Sequence, residues 1–271
     1  MIADAGWVLD RDAPHPSRVC IGDLLFDNLD LAQSVATVER ALACGRRGYV
    51  VTPNVDHLVL YRDCPAFRAA CREAALRLAD GMPIVWASRL IGQPLRARAA
   101  GSDLFPVLCG MAAVRGHTVF LLGGAAGVAD QAAIRLVARF PGLRIAGVYA
   151  PPDRFQHEGE AAEAAVRAVN AARPSVLFVA LGAPKQELWV HRHWSRLDVG
   201  VALCCGAAFD FVAGVQIRAP DWMQRAGLEW LWRLARNPRR LWRRYLVRDA
   251  AFLGIFLKEW WSVRSQAFNR R

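Results

Sequence analysis

Asp80 stands where a carboxylate could do chemistry. It closes the short run LRLAD (76 to 80) and precedes Gly81-Met82-Pro83, so it sits in a turn at the tip of an expected strand. A carboxylate there could take the proton from a hydroxyl as that hydroxyl attacks a sugar's anomeric carbon. It could equally cap the helix that starts near Pro83. The segment TPNVDH repeats the arrangement: Thr52 and Asn54 offer hydrogen-bonding groups after the run YVVT (49 to 52), and Asn54 is also a good N-cap for the helix that would carry Asp56 and His57. His57 reads as structural.

Three further loops carry polar residues. Gly123, Gly124 and Gly127 follow the run HTVFLL, where glycines let backbone N–H groups and a helix N-terminus approach a diphosphate. LLGGAAG falls short of a full dinucleotide fingerprint and suits an ordinary tight turn as well. It keeps a nicotinamide-dependent oxidoreductase open, although the next strand ends at Tyr149 with no acidic residue at its tip to hold a ribose, and Asp153 comes four residues later. Lys185, Gln186 and Glu187 open a helix after Gly-Ala-Pro, presenting a cation and an amide to a diphosphate, while Glu187 also suits the local helix dipole. Gly206 and Asp210 lie in GAAFDF; Asp210 could accept hydrogen bonds from a base or ribose, or from its own backbone. The Asp-x-Asp pair, Asp10 and Asp12, lies in an apparently loose leader, so neither a metal nor another cofactor is expected. Arginines, Lys185 and backbone dipoles would then meet a leaving diphosphate.

The elements that must position these residues follow from the apolar pattern. Short β-rich runs at 49 to 52, 76 to 80, 117 to 122, 143 to 149, 175 to 181 and 199 to 205 alternate with amphipathic stretches at 31 to 44, 102 to 115, 128 to 140 and 158 to 172. Such alternation predicts an α/β fold with a Rossmann-like, mainly parallel sheet and helices on both faces. Ligands of such sheets bind beyond the carboxyl ends of the strands, where the polar loops above lie. The chain divides into a flexible leader (1 to 18), this domain (19 to 218) and a helical C-terminal appendage (219 to 271).

The formal net charge of +11 predicts attraction to nucleic acid, a phosphorylated substrate or an acidic membrane surface. Seven cysteines without metal-binding spacing read as reduced thiols. No stretch approaches the roughly 20 apolar residues of a spanning helix, and the N-terminus lacks the pattern of a secretory signal, so a cytoplasmic protein is expected. The appendage is rich in tryptophan and arginine and is broken at Asn237-Pro238. Beyond that break Arg240, Arg243, Arg244 and Arg248 would share one helical face, with Arg225, Arg233 and Arg236 upstream and Trp230, Trp232, Trp260 and Trp261 as interfacial aromatics. That pattern suits the surface of an acidic bilayer. A solvated basic face and nucleic-acid binding are the competing uses.

Taken in order, VVTPNVDHLVL, LADGMPIVWASRLIG, RAAGSDLF, VFLLGGAAGVAD, GVYAPP, LFVALGAPKQELW, GAAFDFVAG and RAPDWMQRAGLEWLWRL resemble the WecG/TagA/CpsF family of bacterial glycosyltransferases (glycosyltransferase family 26). GAAFDF stands where a Gly-Gly-Ser or Gly-Gly-Thr turn is more usual. The resemblance implies an inverting transferase that uses a UDP-sugar donor and a polyprenyl-diphosphate-linked sugar acceptor at the inner face of the cytoplasmic membrane, in exopolysaccharide or cell-surface glycan synthesis. It implies Asp80 as base, Thr52 and Asn54 lining the sugar pocket, Arg98 on phosphate or acceptor, and Gln186 and Asp210 on the nucleotide sugar. Gly123, Gly124, Tyr149, Lys185, Glu187 and Gly206 would complete the nucleotide side, and Arg225, Arg233 and Arg236 would meet a diphosphate. N-acetylmannosamine, its uronic acid and glucose are all donors within the family. Nucleic acid is not an expected partner, and a homo-oligomer stays open, because the appendage could pack on its own core or on a neighbour.

Overall fold

The structure is a computed structural model that describes residues 7, 17–152, 154–249 and 251–268; the side chains of Arg240 and Arg244 lie outside the described set. Most of the expected leader lies outside it as well. Trp7 is described, and it is buried with its indole N–H donating to the Arg47 carbonyl.

Six strands form one parallel sheet in the order β4-β3-β8-β7-β5-β6. They are β3 (Gly48–Val51), β4 (Leu76–Arg77), β5 (Thr118–Gly123), β6 (Arg144–Tyr149), β7 (Val176–Ala180) and β8 (Val201–Cys204). The central strands β3, β7 and β8 are buried at every position, which is why they read as unbroken apolar runs. Alternate residues feed two cores. Val50, Val119, Leu121, Val176, Phe178, Val201 and Leu203 meet α1 (Leu31–Ala43), α5 (Gly101–Arg115), α6 (Val128–Arg139) and α9 (Ala208–Ala213). Tyr49, Val51, Phe120, Leu122, Leu177, Val179, Ala202 and Cys204 meet α7 (Glu160–Ala172) and α8 (Lys185–His193). The expected Rossmann-like fold is therefore present.

A third core lies beside the sheet. It contains an antiparallel hairpin, β1 (Arg18–Ile21) and β2 (Leu24–Asp27), absent from the sequence reading, together with α2 (Val55–Asp63), α3 (Pro65–Glu73) and α4 (Met82–Leu90). Gly22 and Asp23 both have positive φ, as a two-residue hairpin turn requires.

After α9 the chain forms α10 (Asp221–Arg225), α11 (Glu229–Arg236), α12 (Pro238–Trp242) and α13 (Ala251–Phe268), with a π-helical segment over Arg243–Arg248. This corrects the reading of a single regular helix beyond Pro238. The wider turn breaks the 3.6-residue spacing, so Arg243 and Arg248 do not continue one α-helical stripe. Arg248 instead pairs with the buried Asp56 of α2. Phe252 is buried in the third core, so the appendage packs on its own chain.

Candidate active site

The carboxyl ends of β4, β3, β8 and β7 lie side by side along one edge of the sheet. Past β4 the chain stays extended: the Leu78 N–H donates to the Val51 carbonyl and the Asp80 N–H to the Pro53 carbonyl, both within 3.0 Å. This ties Asp80 to the Thr52-Pro53-Asn54 loop. Asp80 does not cap α4. The N-cap is Gly81, at φ 126°, and no side-chain capping bond is made there. Among the described residues the half-buried Asp80 carboxylate has no hydrogen-bond donor. Burial pushes it from 3.8 up to about 6, and the Glu229 carboxylate pushes the same way, while Arg98, His57 and Arg233 pull it back.

Arg98 reaches this carboxylate's surroundings from the segment before α5. Its guanidinium donates to Glu229 and Asp103 at 2.8 Å each and to Gln224 at 3.2 Å. Arg218, the last residue of the expected 19 to 218 domain, donates to the other oxygen of Asp103 at 2.5 Å and lies 3.9 Å from Glu229. The four charges bolt the appendage to the core. Arg218 and Arg233 both stack over Phe211, with guanidinium carbons 6.0 and 5.9 Å from the ring centre. A depression of about 330 Å³, lined by Met82, Arg98, Asp221, Gln224 and Arg225, opens beside them. A larger one of about 480 Å³ is formed by the C-terminal turns of α1 and α5, next to the start of β5, and contains none of these residues.

Thr52 is buried and donates to the Cys204 carbonyl at 3.3 Å, tying β3 to β8. Asn54 is the N-cap of α2, its side chain accepting from the His57 N–H. His57 in turn contacts Glu187, and Gln186 bridges Glu187 to the Gly206 N–H. Glu187 is fully buried. Neither His57 nor Glu187 revealed this contact in the sequence, since 130 positions separate them.

The remaining positions are spread more widely. Gly123 has φ 116°, and a Cβ there would stand 2.4 Å from the Ala180 oxygen, so close strand packing already requires glycine. Gly124 and the half-buried Lys185 flank the β5 and β7 ends. Tyr149 ends the edge strand β6, five strand spacings or about 24 Å from the line of β4 at ~4.8 Å per strand. Asp210 accepts from the Gln216 amide at 2.7 Å. Arg225, Arg236 and Arg243 are exposed, the last two stacked on Trp232 and Trp242.

A Rossmann-like parallel sheet with Asp80 and the ion-paired Arg98 and Arg218 beside its carboxyl edge has the layout of an α/β enzyme. The chain belongs to the glycosyl transferase WecG/TagA/CpsF family, whose model matches residues 19–266. It is a glycosyltransferase. It is 34% identical over 227 residues to an N-acetylglucosaminyldiphosphoundecaprenol N-acetyl-beta-D-mannosaminyltransferase of Bacillus spizizenii (strain W23), covering 83% of this chain and 86% of that protein. Relatives of the same name occur in Bacillus subtilis (strain 168), at 35% identity over 67% of this chain and 68% of that protein, and in Staphylococcus aureus (strain MW2), at 28% over 85% and 89%.

Proposed function

We propose that the chain moves N-acetylmannosamine from its UDP-activated form to the N-acetylglucosamine of a polyprenyl-diphosphate acceptor, in one inverting, metal-independent step of cell-surface glycan or exopolysaccharide synthesis. The relatives' names support the transferred sugar and the acceptor. The observation that carries the chemistry is Asp80: a half-buried carboxylate at a strand tip, without a hydrogen-bond donor among the described residues and raised to about 6. Near neutral pH such a group is mostly ionised yet basic enough to take a hydroxyl proton. The acceptor oxygen gives its proton to Asp80 and forms a bond to the donor's anomeric carbon. The bond from that carbon to the UDP oxygen breaks, and UDP leaves with the electron pair. Thr52 and Asn54 line the sugar pocket, Gln186 and Asp210 order the nucleotide side, and Arg98, with appendage arginines including Arg233, stabilises the diphosphate.

The same reading places the protein on the acidic inner face of the cytoplasmic membrane. No helix among the described residues is long and apolar enough to cross a membrane. The appendage exposes Trp222, Trp230, Leu231, Trp242, Leu257 and Trp261 beside Arg225, Arg236 and Arg243, a combination that suits an acidic lipid surface.

A UDP-release assay with a panel of UDP-sugars and a short-chain lipid diphosphate bearing N-acetylglucosamine tests the proposal. UDP-N-acetylmannosamine is expected to give acceptor-dependent release that persists in chelator, and Asp80→Asn is expected to lower it roughly 10²- to 10⁴-fold with donor binding kept. Near-normal turnover by the Asn variant would remove Asp80 from the role of base.

A further inference from the structure

The buried contact between His57 and Glu187 has no part in the transfer step described above. His57 Nε2 lies 3.2 Å from Glu187 Oε1, with the two residues 5% and 0% exposed. On the opposite side of the ring, Nδ1 lies 2.8 Å from Asn54 Oδ1. Glu187 Oε1 also accepts from Gln186 Nε2 at 2.7 Å, and Gln186 Oε1 accepts from the Gly206 N–H at 3.1 Å. An unbroken series of contacts therefore runs from the tip of β3, through the start of α8, to the loop after β8. Packing alone does not call for it: a buried carboxylate is costly to desolvate, and apolar side chains of like volume would fill the space at least as well. What the polar version supplies is a fixed orientation for two groups just past the carboxyl ends of the neighbouring strands β3 and β8. Asn54 stands next to the Pro53 carbonyl that holds Asp80, and Gly206 opens the loop leading to Asp210.

We infer that His57 and Glu187 form a positioning pair that holds the Asn54 and Asp80 side of the cleft in register with the Gln186 and Gly206 side, so that acceptor hydroxyl and donor anomeric carbon meet in line. The inference rests on the transferase reading above; it adds His57 and gives Glu187 a place behind the nucleotide side instead of on it. Its signature is coupling at a distance. His57 makes no contact with Gly206, yet removing the imidazole frees Glu187, then the Gln186 amide, and so loosens the Gly206 N–H.

The test uses the full chain and the variants His57→Ala, Glu187→Ala and Glu187→Gln, the last retaining an acceptor oxygen at the same point. In His57→Ala and Glu187→Ala the Gly206 amide is expected to exchange with solvent roughly tenfold faster than in wild type. In the UDP-release assay kcat/KM is expected to fall roughly 10- to 100-fold in both, with the KM of donor and of acceptor each raised, because small misplacements of reacting groups are costly. Glu187→Gln is expected to restore Gly206 protection and most of the rate. Unchanged Gly206 exchange in a folded His57→Ala protein would overturn the inference, as would a Glu187→Gln variant as impaired as Glu187→Ala. Absence of sugar transfer by the wild type would instead sink the transferase reading, and the exchange measurement would still decide the relay.

Discussion

Asp80 carries opposing demands. Its carboxyl is raised from 3.8 to about 6, so the folded protein holds a proton between those values that the unfolded chain has released. Ionising this carboxyl therefore costs stability progressively as pH rises through that window, and the cost is complete above it. Asp80→Asn is accordingly expected to be neutral for stability below pH 4 and stabilising by about 1 kcal/mol at neutral pH, the partial exposure of the site keeping the gain small; paired denaturant titrations check this. With Asp80 as the proposed base, transfer requires the ionised form, so kcat/KM should rise with pH through about 6. Glu229 pushes this value upward, so Glu229→Gln should move the acidic limb to lower pH; a limb that stays put or moves up would contradict the assigned influence of Glu229. The place of Asp80 was legible because an acid closing an apolar run before Gly and Pro is a local signal. The His57 and Glu187 contact was not, because each residue looks like an ordinary helical position until folding joins α2 to α8. Arg218 stayed hidden for a related reason: its partners Asp103 and Glu229 lie on different elements, and nothing near Arg218 in sequence announces them.

At the level of elements, local signals served best where capping and burial agreed. Asp30 and Gln33 form a capping box at α1, and α6 and α7 begin and end within two residues of their apolar pattern. The run LRLAD misled about length, since only Leu76 and Arg77 pair as β4 and the rest continues extended beside β3. The β1–β2 hairpin escaped because its strands are four residues each and its packing partners come from distant helices. Close approaches between elements set their own tests. A Cβ at Gly101 would stand 2.9 Å from the Cys205 backbone and 3.1 Å from Thr52 Oγ1. Gly101→Ala is therefore expected to push the start of α5 away from β3 and β8, costing about 1–3 kcal/mol of stability and lowering turnover; chemical denaturation beside UDP release would show both. A variant as stable and active as wild type would mean that this junction yields without consequence.

Across the whole molecule, basic charge and aromatic surface gather on the appendage, while α13 also packs into the core through Phe252. Deleting residues after Arg236 is expected to release the protein from acidic vesicles in sedimentation assays and to lower its melting temperature. Vesicle binding that survives the deletion would remove the appendage from the role of anchor. Composition had pointed to an anionic partner without choosing among membrane, phosphate and nucleic acid. The proposed choice of a diphosphate-bearing substrate draws on the relatives' names, not on the charge itself.

The hairpin turn at Gly22 meets Ile255 of α13 so closely that an added Cβ would lie 2.9 Å from its methyl group. The hairpin and α13 thus brace each other across the third core, although the whole parallel sheet lies between them in sequence. Freeing α13 should therefore raise proteolytic access at the Gly22 turn first, while the amides of the sheet stay protected.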